Sequence, residues 1–421
     1  MSSFQLGELI LTSKPYAYVL SNACRSSRCD FCFKKQKDLK RCSQCSFLFY
    51  CDKSCQEKSW DVHKAECKFI KKAKPKEPTA SMRLIALILF KIKKLGREFP
   101  VEDVYGRKMT FQSLMSHAED IQKSLKSCQQ MMALIGTLIV YIGSTNIPLP
   151  SDFVEIFGKM CINTFSICDN EMQSIGSGLY LGASVFDHSC QPDAEVVFDG
   201  INLTVRAIKD IPHRNINKIY ISYIDQMQLT EDRQNALKEQ YYVLCQCQRC
   251  LSPHLDELMT KLTDSGRENQ VSEFNAQLEH IKQMKKDKVG PSTIYNACLN
   301  QLALHEVALA DTHLCKVKTL EIAFDICIES NQWADAITLG KQLLKPYRLY
   351  YGQYHPTLGI HLFKLGKIQA LQNLPSASTT LQEAENVLKV THGETHHLYQ
   401  ELLKFIYESR IVFPTESLAL Q

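Results

Sequence analysis

The chain has 421 residues, room for two or three domains, and its 45% hydrophobic and 22% charged residues are the ordinary make-up of a soluble globular protein. Its first twenty residues lack the basic start, apolar block and small-residue cleavage site of a signal peptide, and its longest apolar run, 131–143, is too short to span a bilayer and fits a core helix. Without a signal peptide the expected compartment is reducing, and there the clustering among the 18 cysteines points to metal rather than disulfides; the net charge is +4.

Residues 1–23 read as strands, ELIL and then YAYVL. Residues 24–76 hold Cys29, Cys32, Cys42, Cys45, Cys51, Cys55, His63 and Cys67, spaced C-x2-C-x9-C-x2-C-x5-C-x3-C-x7-H-x3-C. Eight soft ligands at this spacing make two tetrahedral zinc sites. The segment has few large aliphatics, so metal binding must supply its folding free energy, on the order of 10 kcal/mol per site. It also concentrates the positive charge, with 14 Lys or Arg against 7 Asp or Glu over residues 28–77. A solvated exterior explains that charge more simply than a nucleic-acid or acidic-protein partner.

Residues 77–145 read as helical. Ile121, Leu125, Cys128, Met132, Ile135, Ile139 and Ile142 recur at steps of three and four and predict one apolar helix face, which NIPLP then ends. Residues 146–228 contain VFDHSCQPDAEVVFDG and the strand IYISYID. In 229–252 a helix, with Thr230 as its expected cap, precedes CQCQRC. Cys245, Cys247 and Cys250 are one ligand short of a closed structural zinc site. Cys190 is the best candidate for the fourth. A nucleophilic Cys190 with His188 as its base would leave the other three thiolates unexplained. The seven remaining cysteines read as small buried hydrophobes. From 253 to 421 there is no metal pattern and little strand signal. Gly352 and His355 in GQYH recur as Gly393 and His396 in GETH, 41 residues on, a period that suits two-helix repeats of tetratricopeptide type.

The spacing at 29–67 resembles a MYND zinc finger. On that resemblance Cys29, Cys32, Cys51 and Cys55 hold one zinc ion and Cys42, Cys45, His63 and Cys67 the other. The module would bind proline-rich peptides, with DNA as a weaker contact. DHSCQPDA, the strand ending in ISYID and CQCQRC follow one another as in SET-domain protein-lysine methyltransferases. Together these pieces resemble the SET-and-MYND-domain family over essentially the whole chain. The resemblance implies an α+β fold. Residues 1–23 would be its N-terminal SET strands, truncated and starting at the family's second strand region, 24–76 the finger, 77–145 a helical insert, 146–228 the core SET region, 229–252 a post-SET zinc loop closed by Cys190, and 253–421 a tetratricopeptide-like helical domain.

It also implies S-adenosylmethionine and three zinc ions as cofactors. The reaction would be methyl transfer to lysines of histone or non-histone proteins, by a monomer in cytoplasm and nucleus with no membrane partner. Tyr223 would be the catalytic tyrosine, with Tyr241 and Phe165 as channel walls. His117, Asp187, His188, Tyr223, Tyr241 and Val243 would contact the methyl donor, and Tyr242 reads as packing. Aromatic faces suit a sulfonium and a methylated ammonium, and an apolar channel favours the neutral lysine amine.

Three features depart from the family pattern. No G-x-G precedes Gly7, so the family's first strand and turn are expected to be missing, as in a truncated isoform or an incomplete gene model. Asp187 stands where Asn is usual, and its charge would repel the donor's carboxylate. PHRNINKIY replaces a G-E-E type turn. The alternative function is a catalytically silent adaptor that binds partner peptides through the finger and the helical array.

Overall fold

Short alternating segments at the amino end form β1 (Leu9–Ser13) and β2 (Ala17–Leu20), and each joins a different three-stranded sheet. The computed structural model describes residues 3–263 and 268–412. The ends of the first and last expected segments, 1–2 and 413–421, lie outside them. The finger contributes β3 (Lys40–Arg41) and β4 (Phe49–Tyr50), followed by the helices α1 (Lys53–Ala73) and α2 (Ala80–Leu95). Then come β5 (Glu102–Val104), β6 (Arg107–Met109), α3 (Ala118–Lys123), α4 (Leu125–Ile142) and α5 (Pro150–Asn163). The remaining strands are β7 (Thr164–Cys168), β8 (Ser174–Leu179), β9 (Asp187–His188), β10 (Ala194–Asp199), β11 (Asn202–Ala207) and β12 (Tyr220–Ile221). The sheets run β1-β11-β10 and β2-β8-β7, and β9 pairs with β12 in parallel. After β12 the described residues are helical, from α6 (Thr230–Tyr241) to a last helix at His397–Val412. The expected α+β architecture with an all-helical second half is the one observed.

Three local expectations are corrected. The segment 77–145 is not wholly helical, because β5 and β6 form a hairpin. Its turn residues Tyr105 and Gly106 take φ of 52° and 85°, the left-handed pair that matches strand twist. The regular stripe from Ile121 to Ile142 does not form one buried face. Ser124 is extended, divides α3 from α4 and caps the latter by accepting from Ser127 N at 3.2 Å. α4 buries Leu138, Tyr141 and Ile142, while Leu125 is 74% and Met132 62% exposed. Thr230 is the first residue of α6 and not its cap; its N–H donates to the Asp256 carboxylate and its hydroxyl accepts from Arg233.

In the helical half the histidine cap recurs, and it begins earlier in the chain than GQYH and GETH suggest. Gly352 and Gly393 end helices with φ of 81° and 82°. Three residues on, His355 and His396 turn Nδ1 back to accept from Thr357 N and Leu398 N, both at 3.1 Å. His313, 42 residues before His355, accepts from Cys315 N in the same way at 3.2 Å. The other nitrogen of His396 donates to Phe198 O at 3.0 Å, and that of His355 lies 3.9 Å from Glu195 Oε1. The helical array therefore docks on β10 through two of its own caps.

Burial holds His313, His355 and His361 at pKa values of about 4 and His392 well below the usual range. The folded chain keeps them neutral, whereas the unfolded chain takes up protons below about pH 6.5. Their stabilisation is complete above pH 6.5 and falls as pH drops toward 4, by about 1.4 kcal/mol per group per pH unit. The thermal midpoint is expected to fall steeply between pH 6.5 and 5. Zinc content measured in parallel separates this from metal loss, and a flat midpoint with zinc retained would contradict the reading.

Candidate functional site

Cysteines and one histidine converge in three tetrads: Cys29, Cys32, Cys51 and Cys55; Cys42, Cys45, His63 and Cys67; and Cys190, Cys245, Cys247 and Cys250. The ligand atoms of each lie within 4.8 Å of one another. The sulfur separations Cys32–Cys51, Cys42–Cys67 and Cys190–Cys250 are 3.7, 3.9 and 3.5 Å. Disulfides are about 2 Å long, whereas the edge of a zinc–thiolate tetrahedron is ~3.8 Å for Zn–S bonds of about 2.3 Å. The residues thus fit three zinc ions, in the pairing the resemblance implied, with Cys190 in the third set.

The fold explains each convergence. Asp52 caps α1 by accepting from Cys55 N at 2.8 Å. His63 and Cys67 lie one turn apart on the same face of α1. Gln234 on α6 pins Cys245, donating to its carbonyl at 2.7 Å and accepting from its amide at 3.1 Å. Elemental analysis is expected to give three zinc ions per chain, and a value of two would remove the third tetrad from the zinc reading.

Beside the third tetrad stands an aromatic wall. The Tyr223 ring lies 4.8 Å from Tyr241 and 5.2 Å from His188, centroid to centroid. Tyr223 N donates to His188 Nδ1 at 3.0 Å, so the imidazole proton sits on Nε2, 3.2 Å from Cys190 Sγ. Both ring nitrogens of His188 are therefore spent inside the protein, and what it offers a ligand is a ring face. Burial, and then the charge of Arg233, hold its pKa near 4. The Tyr223 hydroxyl donates to Phe186 O at 2.6 Å. Burial, and then Asp187 and Tyr241, keep that phenol protonated far above its usual range.

The other expected residues are placed as follows. Phe165, on β7, packs edge-on against Tyr180 at 5.8 Å. Asp187 begins β9 and is exposed; its carboxylate is not the buried charge that would repel most strongly. His117 takes a left-handed φ of 47° before α3, and its ring stacks on Tyr242 at 5.2 Å. Val243 is half-buried and follows Tyr242 at the end of α6. Tyr242, which reads from the sequence as packing alone, makes that stack through its own left-handed φ of 58° and meets Ser127 Oγ at 3.3 Å.

Residues 29–67 match the MYND finger family. The chain is 32% identical to the human protein named histone-lysine N-methyltransferase SMYD3, across 96% of this chain and 92% of that one. It is 27% identical to human N-lysine methyltransferase SMYD2, across 96% and 93%. It is also 27% identical to N-lysine methyltransferase SMYD2-B of Danio rerio, across 95% and 92%. A finger of this kind and a likeness extending over nearly the whole length make the chain a homologue of protein-lysine methyltransferases. It belongs to the SET and MYND domain (SMYD) family.

Proposed function

We propose that the chain transfers a methyl group from S-adenosylmethionine to lysine side chains of histone or non-histone proteins, in cytoplasm and nucleus. The observation that carries this reading is the Tyr223–Tyr241–His188 wall, held against the third tetrad by the His188–Cys190 contact. Its aromatic faces suit a sulfonium cation, so the residues fit the donor. When bound, the donor supplies a methyl activated on that sulfonium. Tyr223 stays protonated and acts by orientation rather than as a base. Its donated bond to Phe186 O fixes the phenol oxygen, whose lone pairs can accept an N–H from the lysine amine. The apolar wall favours the neutral amine, the form able to accept a methyl.

A cavity of about 240 Å³ is lined by Ser81, Thr164, Ser166, Ser177 and Gln240, next in sequence to Tyr241. It suits the polar backbone of a substrate peptide. On the finger, Trp60 is 42% exposed and offers a face for a proline-rich segment. The basic surface of the finger is available for weak DNA contact.

Transfer of labelled methyl from S-adenosylmethionine to histones and to a mixed protein extract tests the reading. No incorporation, with no donor binding by calorimetry, would leave the peptide-binding adaptor standing. Asp187→Asn is expected to tighten donor binding only a few-fold. Two like charges about 4 Å apart in water repel by only about 1 kcal/mol, and salt screens exposed charges further. A change of a hundredfold would mean that the carboxylate is buried in the complex.

A further inference from the structure

The buried charge between the two finger sites has its counter-ion outside the finger. Glu66 Oε1 lies 3.3 Å from Nδ1 of the ligand His63. The two Glu66 oxygens accept from Arg83 Nε at 3.0 Å and Nη2 at 2.9 Å. Arg83 Nη1 reaches Asp30 Oδ1 at 3.4 Å, and Asp30 Oδ2 accepts from Phe49 N at 2.8 Å. Asp30 follows the ligand Cys29, so one guanidinium stands between the flanks of both tetrads. His63, Glu66, Arg83 and Asp30 are 2%, 1%, 3% and 8% exposed. Yet Arg83 belongs to α2, beyond the finger's last ligand, Cys67.

A metal-bound histidine gives its second N–H to an acceptor that fixes its tautomer and its aim. Glu66 is that acceptor, and the opposite nitrogen of His63 points at Cys45 Sγ, 3.5 Å away. Loaded finger centres are net anionic, because their thiolates outweigh one zinc ion. A buried carboxylate between them needs a cation to hold it in place. Among the described residues, the Lys or Arg ion pairs of Glu66 and Asp30 all go to Arg83.

We propose that Arg83 is a positioning residue for the Cys42–Cys45–His63–Cys67 zinc site. It holds Glu66 where Glu66 aims His63, so the finger retains this ion firmly only when seated on α2. The proposal rests on the zinc reading of the tetrads and not on methyl transfer, and the wild-type metal count tests that reading separately.

The test is the rate at which the full chain yields zinc to an excess of chromophoric chelator. In Arg83→Met one ion is expected to leave ~10–100-fold faster than in wild type, the other two unchanged. The cobalt-substituted protein assigns the fast ion, because a centre of three thiolates and one imidazole absorbs apart from the two all-thiolate centres. Arg83→Lys keeps the charge but loses the two-pronged geometry, and its rate is expected between the two. If Arg83→Met does not fold, Glu66→Gln combined with Arg83→Met removes both charges and leaves His63 an acceptor; it should still lose the ion of the imidazole-containing centre early. Release of that ion at the wild-type rate, or equal acceleration of all three, would overturn the proposal.

Discussion

Tyr223→Phe is expected to cut methyl transfer on the order of 100-fold or more while leaving fold, zinc content and donor affinity in place. The substitution removes one hydroxyl and almost no volume. The bond lost is the 2.6 Å donation to Phe186 O. An unpaired buried carbonyl costs about 1–3 kcal/mol, which a domain of ordinary stability survives. The rate effect is larger because a preorganised hydroxyl acts on the reacting groups chiefly at the transition state. Turnover should therefore fall while the donor Kd stays constant. Tyr242→Phe, which removes only a hydroxyl facing Ser127, serves as the control. Full turnover by Tyr223→Phe would show that another group orients the amine.

Cys190→Ser should have the broadest effect of any single change. It deprives the third tetrad of a ligand that is 1% exposed, and the zinc count should fall from three to two. The same sulfur faces His188 Nε2, whose ring holds the Tyr223 amide. Losing the ion therefore loosens the aromatic wall, and donor binding is expected to weaken at least tenfold (~1.4 kcal/mol). The finger tetrads share no ligand with this one and should keep their two ions. Three zinc ions in the variant, or unchanged donor affinity with two, would disconnect the tetrad from the wall.

The three tetrads were legible in the sequence because coordination chemistry dictates the kind and number of ligands regardless of packing. The wall was legible only by resemblance, since a tyrosine in a strand usually just packs. Periodicity misread the insert for a definite reason. α4 is apolar on two flanks, one with Leu138, Tyr141 and Ile142 and the other with Met132, Ile139 and Val140. Nothing local says which flank meets the core, and the stripe ran unbroken across Ser124. The hairpin at Tyr105–Gly106 lacked the Asn-Gly or Asp-Gly pair that announces such turns. Tyr242 reaches His117, and Arg83 reaches Glu66, only through the tertiary fold.

Two caps of the helical array, His355 and His396, meet β10 at Glu195 and Phe198. Three residues of strand span about 10 Å, and the two helices that these caps begin, Pro356–Leu371 and His397–Val412, are separated in the chain by Ser376–Thr391. The strand thus works as a graduated scale, its pleats marking off one two-helix layer of the array. Growth of a layer by insertion would push the next histidine past its mark. The spacing of successive caps is gauged by the sheet as well as by the helices.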